Sequence, residues 1–185
     1  MNIIIKMLLM SSIFYTFAAG LFGPIYAIYV QGIGGDLLAA GTAWAIFSFV
    51  TGILLLIFGF LEDHRLNKVL MLISGNIIIA FANIGYLFVS APIHLFIVQA
   101  ISGVGLSITT PAWDALYSKN VNKKKESLEW AYWEGGTRIF YAAAALIGSF
   151  IASVYGFHVI FIIMALCSFA SAGTYILLHL KKKRL

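Results

Sequence analysis

The chain has 185 residues, of which 62% are hydrophobic and 10% are charged. Soluble domains carry roughly 25% charged residues, so this composition, with a mean hydropathy of +0.97, excludes a soluble globular domain and predicts an integral membrane protein. The net charge of +5 does not indicate nucleic-acid binding, because the basic residues lie at the ends of apolar runs, where anionic lipid headgroups are found. The single cysteine, Cys167, excludes an internal disulfide and a cysteine metal cluster.

Six apolar segments follow one another along the chain. They cover approximately residues 7–30, 38–61, 69–90, 93–117, 128–154 and 157–180. Each is long enough for a helix that crosses the ~30 Å hydrocarbon core of a bilayer. The first segment follows Lys6 but is longer than the ~7–15 residues of a signal-peptide core, so we expect it to be a retained helix. The expected fold is an all-α transmembrane domain of six helices that spans residues 1–185.

The basic residues indicate how the chain is oriented. With the N-terminus inside, 11 of the 12 lysines and arginines lie in the N-terminal segment, the two inner connections and the C-terminal tail. Because lysine and arginine concentrate in cytoplasmic loops, both termini are expected in the cytoplasm, and the protein in the plasma (inner) membrane. The remaining basic residue, Arg138, lies inside the fifth apolar segment.

Two stretches of the chain are similar to each other. Trp44–Thr51 reads W-A-I-F-S-F-V-T and Trp130–Thr137 reads W-A-Y-W-E-G-G-T, at matching places in the second and fifth segments. This match predicts two repeats of three helices. The first would cover about residues 7–90 and the second about residues 93–180. An odd number of helices per repeat reverses the direction of the second, which produces an inverted repeat of the kind that builds many transporters.

The connection between the second and third segments resembles a family signature. It reads G-F-L-E-D-H-R-L-N-K from Gly59 to Lys68. This is similar to the G-x-x-x-D-[RK]-x-G-[RK]-[RK] loop of the major facilitator superfamily, with Gly59, Asp63 and Lys68 matching and Arg65 supplying a displaced charge. Q-A-I-S-G-V-G, which begins at Gln99, is similar to the R-x-x-x-G-x-G motif of the family's fourth helix, with glutamine in the arginine's place.

The resemblance implies a transporter that moves a small solute by alternating access. It covers the whole chain but only one six-helix half of the family's usual twelve helices. It also implies an inner gate, in which an acid at the inner end of the fourth helix pairs with the signature loop. The residues of this gate would be Gly59, Asp63, Arg65, Lys68 and Asp114.

Glu134 and Arg138 lie four residues apart within the apolar fifth segment, so they share one face of a helix. A charged side chain near the bilayer centre costs roughly 2.5–3.5 kcal/mol, so this face is not expected to meet lipid. Three interpretations remain open: a structural ion pair within the bundle, a polar site that lines a water-filled cavity, and a contact between protomers. The second interpretation predicts a substrate or ion pathway formed by Glu134, Arg138, Gln99, Thr137, Tyr141 and Tyr15.

Two functional hypotheses follow. The first is a half-size transporter that works as a homodimer or with a second half-transporter in the lipid bilayer. The alternative is a non-transporting scaffold or assembly partner derived from such a half. The sequence carries no signature of an enzyme, so we expect no catalytic residues, cofactor, metal or nucleic-acid partner. The solute or ion, the coupling ion and the direction of transport stay open.

Overall fold

The computed structural model describes the backbone of residues 2–64 and 66–184 and, apart from residues 62–64 and 182–184, their side chains. In this part of the chain the α-helices are α1 (Ile3–Phe22), α2 (Tyr26–Gly32), α3 (Leu37–His64), α4 (Lys68–Gly85), α5 (Pro92–Asn120), α6 (Glu126–Tyr155) and α7 (Phe157–Arg184). They provide six helical stretches that are long and apolar enough to cross a membrane, the first of which is α1 together with α2. The six predicted spans are therefore confirmed, and their ends move by a few residues.

The first span is interrupted at a proline. Gly23–Ile25 forms a short 3-10 turn that contains Pro24 and separates α1 from α2. Proline has no backbone N–H and its ring clashes with the preceding turn, so it weakens an α-helix, and at Pro24 the helix is interrupted. Pro111 instead lies inside α5, whose neighbouring turns remain helical.

Polar side chains define where two of the helices begin. The Ala39 N–H donates to Asp36 Oδ1 at 2.7 Å, and the Val69 N–H donates to Asn67 Oδ1 at 3.0 Å. Both side chains satisfy backbone donors that lack an intrahelical partner in the first turn. The two caps therefore set the starting points of α3 and α4.

The bundle is built from a few extensive helix pairs. Helix α5 packs against α3 and α4, α1 packs against α6 and α7, and α4 packs against α7. Small residues bring some of these helices into backbone contact, as is common where helices meet in membranes. A Cβ atom built on Gly148 of α6 would overlap the backbone of Leu21, and one on Gly103 of α5 would lie 2.9 Å from the carbonyl oxygen of Phe47.

Buried apolar side chains form two clusters at opposite ends of the bundle. In one cluster, Phe22, Tyr86 and Phe161 form aromatic contacts with ring centroids 5.0–5.2 Å apart. The other includes Leu8 and Leu72, which are fully buried, and a group of indole and phenol rings from α5 and α6. Together the two clusters include residues from all six spans. Most of α3 lies outside them.

A polar layer separates the two apolar clusters. Ser171 Oγ donates to Asn76 Oδ1 at 2.8 Å and lies 2.5 Å from Ser11 Oγ, which links α7 to both α4 and α1. Further along the same two helices, a second hydrogen bond joins α4 to α7: Asn83 Nδ2 donates to Ser168 Oγ at 2.9 Å. The two asparagines of α4 thus hold neighbouring helices by hydrogen bonds, as their seven-residue spacing on one face favours.

Helices α3 and α6 each leave a broad face without a neighbouring helix. A stripe of small residues runs along each of these faces at spacings of three, four or seven. On α3 it consists of Gly41, Ala45, Ser48, Gly52 and Gly59, and on α6 of Ala131, Gly135, Ala142, Ser149 and Ser153. Beside each small-residue stripe runs a stripe of large exposed apolar residues. It consists of Leu38, Phe49, Ile53, Leu56 and Phe60 on α3, and of Leu128, Tyr132, Ile139, Leu146 and Phe150 on α6.

Candidate functional site

A cavity of about 390 Å³ opens between α1, α5 and α6, and its floor is formed by α4 and α7. Its walls carry hydroxyl, amide, indole and carboxylate groups with a single aliphatic side chain. They are Ser11, Ser12, Tyr15, Thr16, Asn76, Leu106, Thr109, Thr110, Trp113, Asp114, Trp133, Thr137, Ser171 and Tyr175. We call this space the central cavity.

Helical spacing explains how α1 and α5 supply so many of these groups. Residues four apart lie on one face of a helix, and each of the two helices contributes two such pairs. The pairs are Ser11 with Tyr15 and Ser12 with Thr16 on α1, and Thr109 with Trp113 and Thr110 with Asp114 on α5. One polar face of each helix therefore turns towards the same space.

Stacked aromatic rings form the wall between α5 and α6. The ring of Trp113 lies on that of Tyr117, with centroids 4.7 Å apart and an interplanar angle of 12°, and it also contacts Trp133 at 4.7 Å. Trp130 completes the group at 4.6 Å from Tyr117. Offset stacking of this kind adds to the stabilisation that area burial alone provides.

One polar atom in this wall has no partner. Among the described residues, Trp113 Nε1 is a buried side-chain nitrogen without a hydrogen bond. The side chain is only 8% exposed, and a buried donor that is left unsatisfied costs roughly 1–3 kcal/mol. The central cavity is therefore bordered by an indole N–H that no described protein group satisfies.

A second cavity of about 220 Å³ adjoins the first and shares Thr16, Trp133 and Thr137 with it. Its remaining lining residues are Glu134, Arg138 and Tyr141. Arg138 Nη2 lies 3.8 Å from Glu134 Oε2, so the expected pairing of these residues is present. The arginine side chain is nevertheless 83% exposed and the glutamate 55% exposed. Both charges are accessible from the cavity.

Close packing against α1 positions this part of α6. The hydroxyl group of Tyr141 lies against Gly23, where a Cβ atom would be 2.5 Å from the Tyr141 oxygen. A Cβ atom on Gly20 would lie 2.8 Å from the Tyr141 carbonyl oxygen. A side chain at Gly20 would meet the backbone of α6 and push it away from α1, whereas one at Gly23 would displace the Tyr141 hydroxyl group.

Five of the six predicted pathway residues line the two cavities. Tyr15 and Thr137 border the central cavity, and Glu134, Thr137, Arg138 and Tyr141 border the second. The structure places Gln99 apart from them. It is 4% exposed, and its side-chain amide donates to the Tyr26 hydroxyl at 3.0 Å.

Sequence reasoning missed several groups that line the central cavity, notably Trp113, Trp133 and Ser171. The pairs of polar and aromatic residues on α1 and α5 were a signal that could have been used, since both helices repeat them at a spacing of four. The position of Ser171 depends on how α7 packs against α1 and α4, and no local pattern in α7 indicates it.

The residues of the predicted inner gate are only partly described. Asp114 lines the central cavity, and Lys68 is the first residue of α4. Gly59 lies near the end of α3, where an added Cβ atom would meet nothing within 4 Å. The Asp63 side chain and Arg65 lie outside the described residues. Pairing of the signature loop with Asp114 stays a prediction.

Comparison with known proteins identifies the family. The family model described as Major Facilitator Superfamily matches residues 8–184, which is nearly the whole chain. The chain belongs to the major facilitator superfamily. The resemblance that the signature loop carries is therefore confirmed at the level of the family, and the six spans identify a multi-pass membrane protein of this superfamily.

Two curated relatives from Streptococcus pneumoniae are similar to this chain. Both are named multi-drug resistance efflux pump PmrA, one from serotype 4 strain ATCC BAA-334 / TIGR4 and one from strain ATCC BAA-255 / R6. Each is 28% identical over 171 residues, which cover 86% of this chain and 41% of the relative. The chain thus spans less than half the length of these relatives.

Proposed function

We propose that this chain moves a small solute across the plasma (inner) membrane by alternating access, as one of two six-helix units that enclose a shared pathway. The observation that carries the proposal is the pair of adjoining cavities, which together combine buried hydroxyl groups, two indoles and the accessible Glu134–Arg138 pair. Polar and charged groups are costly inside a membrane unless they serve such a pathway. The volume of the central cavity also suits a small solute.

The pairing of helices supports a three-plus-three inverted repeat within the unit. If α1 with α2 corresponds to α5, α3 to α6 and α4 to α7, then the contact of α1 with α6 corresponds to that of α5 with α3. In the same way, the contact of α1 with α7 corresponds to that of α5 with α4. The contact between α4 and α7 is unchanged, because the repeat exchanges these two helices with each other. A two-fold axis in the membrane plane relates such repeats in many transporters.

The exposed faces of α3 and α6 support a second unit as the partner. Each face has a small-residue stripe, which suits close contact with another helix, beside a large apolar stripe, which suits lipid. In a symmetric pair related by an axis along the membrane normal, α3 of one copy would pack beside α6 of the other. Such a two-fold interface is self-complementary, so the assembly would be a closed dimer. A separate second half could present the same two faces.

The positions of the basic residues support the orientation. Lysines lie near the first residues of α1, α4 and α6 and near the last residues of α5 and α7. These ends are on one side of the bundle, and the positive-inside rule assigns that side to the cytoplasm. Both termini would then be cytoplasmic.

The direction of transport is proposed from the relatives. They are named as multi-drug resistance efflux pumps, so we propose export of an organic solute as the first activity to test. The indole rings and the Asp114 carboxylate of the central cavity can contact an aromatic cation, because aromatic faces and carboxylates both attract positive charge.

The test is a flux assay in proteoliposomes that contain the purified chain, with ethidium as the probe. We expect substrate-dependent flux in the wild-type protein and a loss of at least about tenfold in Arg138→Ala, which corresponds to ~1.4 kcal/mol in the limiting step. Ile147→Ala, on the same helix but in the lining of neither cavity, is the matched control and should keep wild-type flux. Wild-type flux in Arg138→Ala would remove this residue from the mechanism.

The non-transporting scaffold predicts a different result. The wild-type chain would then show no flux with any probe. This would hold both for homodimers and for the chain combined with a second half-transporter. Transport by the wild-type chain alone would exclude the scaffold and show that two copies suffice.

A further inference from the structure

We infer that the start of α6 carries a binding site for the headgroup of an anionic phospholipid. The site is a third cavity, of about 460 Å³, lined by Lys125, Leu128, Glu129 and Tyr132. It is separate from the two cavities described above, since it shares none of their lining residues. The inference does not depend on the proposed transport.

The cavity opens towards lipid. Leu128 is 47% exposed and Tyr132 is 55% exposed, and both belong to the large apolar stripe of α6 rather than to its small-residue stripe. Lys125, the last residue of the 3-10 turn before α6, lines the cavity together with these two side chains. A second protein unit on the small-residue stripe would therefore leave this cavity free.

The depth of the cavity matches the headgroup region. Helix α6 has 30 residues and is about 45 Å long, whereas the hydrocarbon core is ~30 Å thick. The ends of α6 together extend about 15 Å beyond the core, and the lysines at Lys123–Lys125 favour a place in the headgroup region for its first turn. There a lysine ammonium group, a tyrosine hydroxyl group and an apolar surface below them are suited to a phosphate and the upper part of an acyl chain.

The nearby acids do not neutralise this lysine. Glu126 pairs with Lys123 at 3.2 Å, and Glu129 Oε2 accepts a hydrogen bond from the Asn122 N–H at 2.9 Å. Glu129 is only 4% exposed, so its carboxylate is turned into the connection between α5 and α6. Within the described part of the chain, Lys125 makes no ion pair. Its charge is therefore available to a lipid phosphate.

Hydrogen bonds also hold the cavity floor in place. The Tyr117 hydroxyl donates to the Glu129 carbonyl oxygen at 2.5 Å, and the Lys125 N–H donates to the Asn122 carbonyl oxygen at 2.8 Å. The N-terminus of α6 has no side-chain cap, and the acidic residues of its first turn, Glu126 and Glu129, offset the positive end of the helix dipole, so the attraction for an anion rests on Lys125. The geometry of the site is set before lipid binds.

The experiment is native mass spectrometry of the delipidated full chain in detergent, titrated separately with phosphatidylglycerol and phosphatidylcholine of the same acyl chains. We expect phosphatidylglycerol to be retained in preference. Lys125→Gln should weaken its retention about fivefold, which is the effect expected for one lysine near an anionic lipid, and Lys125→Arg should keep it. Lys124→Gln is the matched control, because Lys124 is exposed on the same turn but does not line the cavity, and it should stay within about twofold of the wild type.

Three results would overturn the inference. Equal losses in Lys124→Gln and Lys125→Gln would mean diffuse attraction to a basic surface without a site. Equal retention of phosphatidylcholine by the wild type would mean that the anionic headgroup is not recognised. Displacement of phosphatidylglycerol by millimolar inorganic phosphate would mean that the cavity binds free phosphate rather than a lipid.

Discussion

Arg138 and Glu134 lie one turn apart on α6 with their charged groups 3.8 Å from each other, yet both side chains remain largely exposed. The distance exceeds that of a hydrogen bond, so the two groups attract each other without fixing each other's position. A pair of this kind leaves both charges able to meet a solute, a proton or a second protein unit. This arrangement favours a role in the cavity over a structural one.

The first prediction separates these two roles. The coupling between Glu134 and Arg138 in the free energy of unfolding should be below about 0.5 kcal/mol, because exposed pairs at this spacing contribute little. Unfolding of Glu134→Gln, Arg138→Gln and the double variant in detergent measures it as a double-mutant cycle. A coupling above about 1 kcal/mol would assign the pair to the structural interpretation.

The second prediction concerns the contact between α1 and α6. Gly148→Ala should destabilise the bundle by about 1–3 kcal/mol, because the added methyl group overlaps the backbone of Leu21 and must separate the helices. Thermal unfolding of the purified protein in detergent measures the change.

Gly136→Ala is the matched control for this variant, since an added Cβ atom there meets nothing within 4 Å. It should leave stability unchanged or raise it by up to about 1 kcal/mol, because alanine is favoured over glycine inside a helix. Equal destabilisation by both substitutions would contradict the close contact at Gly148.

The third prediction concerns the polar layer between the two apolar clusters. Ser171→Ala removes the hydrogen bond to Asn76 and the contact with Ser11, so it should lower the free energy of unfolding by roughly 0.6–1.7 kcal/mol. Thr174→Val on the same helix serves as the control, because within the described part of the chain the Thr174 hydroxyl bonds to the carbonyl oxygen of Ala170 in α7 and to no other helix. If the two variants are equally stable, the layer does not hold α7 to its neighbours.

The fourth prediction tests the proposed pair. Ser48 of α3 and Ala142 of α6 lie in the small-residue stripes, each ~24 Å from the helix end on the same side of the bundle. In a Cys167→Ala background, Ser48→Cys combined with Ala142→Cys should cross-link between chains in native membranes, because the two stripes would meet at this depth.

Phe49→Cys combined with Ile139→Cys is the control for cross-linking, since both positions belong to the large apolar stripes and lie at nearly the same depth as Ser48 and Ala142. This combination should remain largely monomeric on a denaturing gel. A chain that transports in nanodiscs holding one copy, or stripe cysteines that never cross-link, would show that the symmetric pair is wrong.

Much of the fold could be predicted from local sequence. The six spans follow from hydrophobic runs, because a backbone inside hydrocarbon must satisfy its own hydrogen bonds and a helix needs about 20 residues to cross. Asp36, which precedes the second apolar run, caps the start of α3. Each of these features depends on residues that are close together in the chain and on the apolar solvent around them. A single sequence is therefore enough to predict it.

The candidate site was only partly predictable. Glu134, Thr137 and Arg138 could be grouped because one helix carries them at spacings of three and four. Gln99 could not be placed in the same way, since its hydrogen bond to Tyr26 depends on how α5 packs against the first span. The same is true of Trp113, whose ring packs on Tyr117 of α5 and Trp133 of α6 and whose indole nitrogen has no hydrogen-bond partner among the described residues.

The sequence by itself determined the class of protein, the positions of its spans and the presence of charges within α6, because these depend on the cost of transferring each segment into hydrocarbon. Only the tertiary structure decided which helix faces are covered. The pairing of α5 with α3 and of α1 with α6 leaves one face of α3 and one of α6 open, and it joins the polar faces of α1, α5 and α6 around the cavities. In a membrane almost every helix face is apolar, so hydrophobicity cannot select the partners. Close packing at residues such as Gly103 and Gly148 selects them, through contacts between positions far apart in the chain.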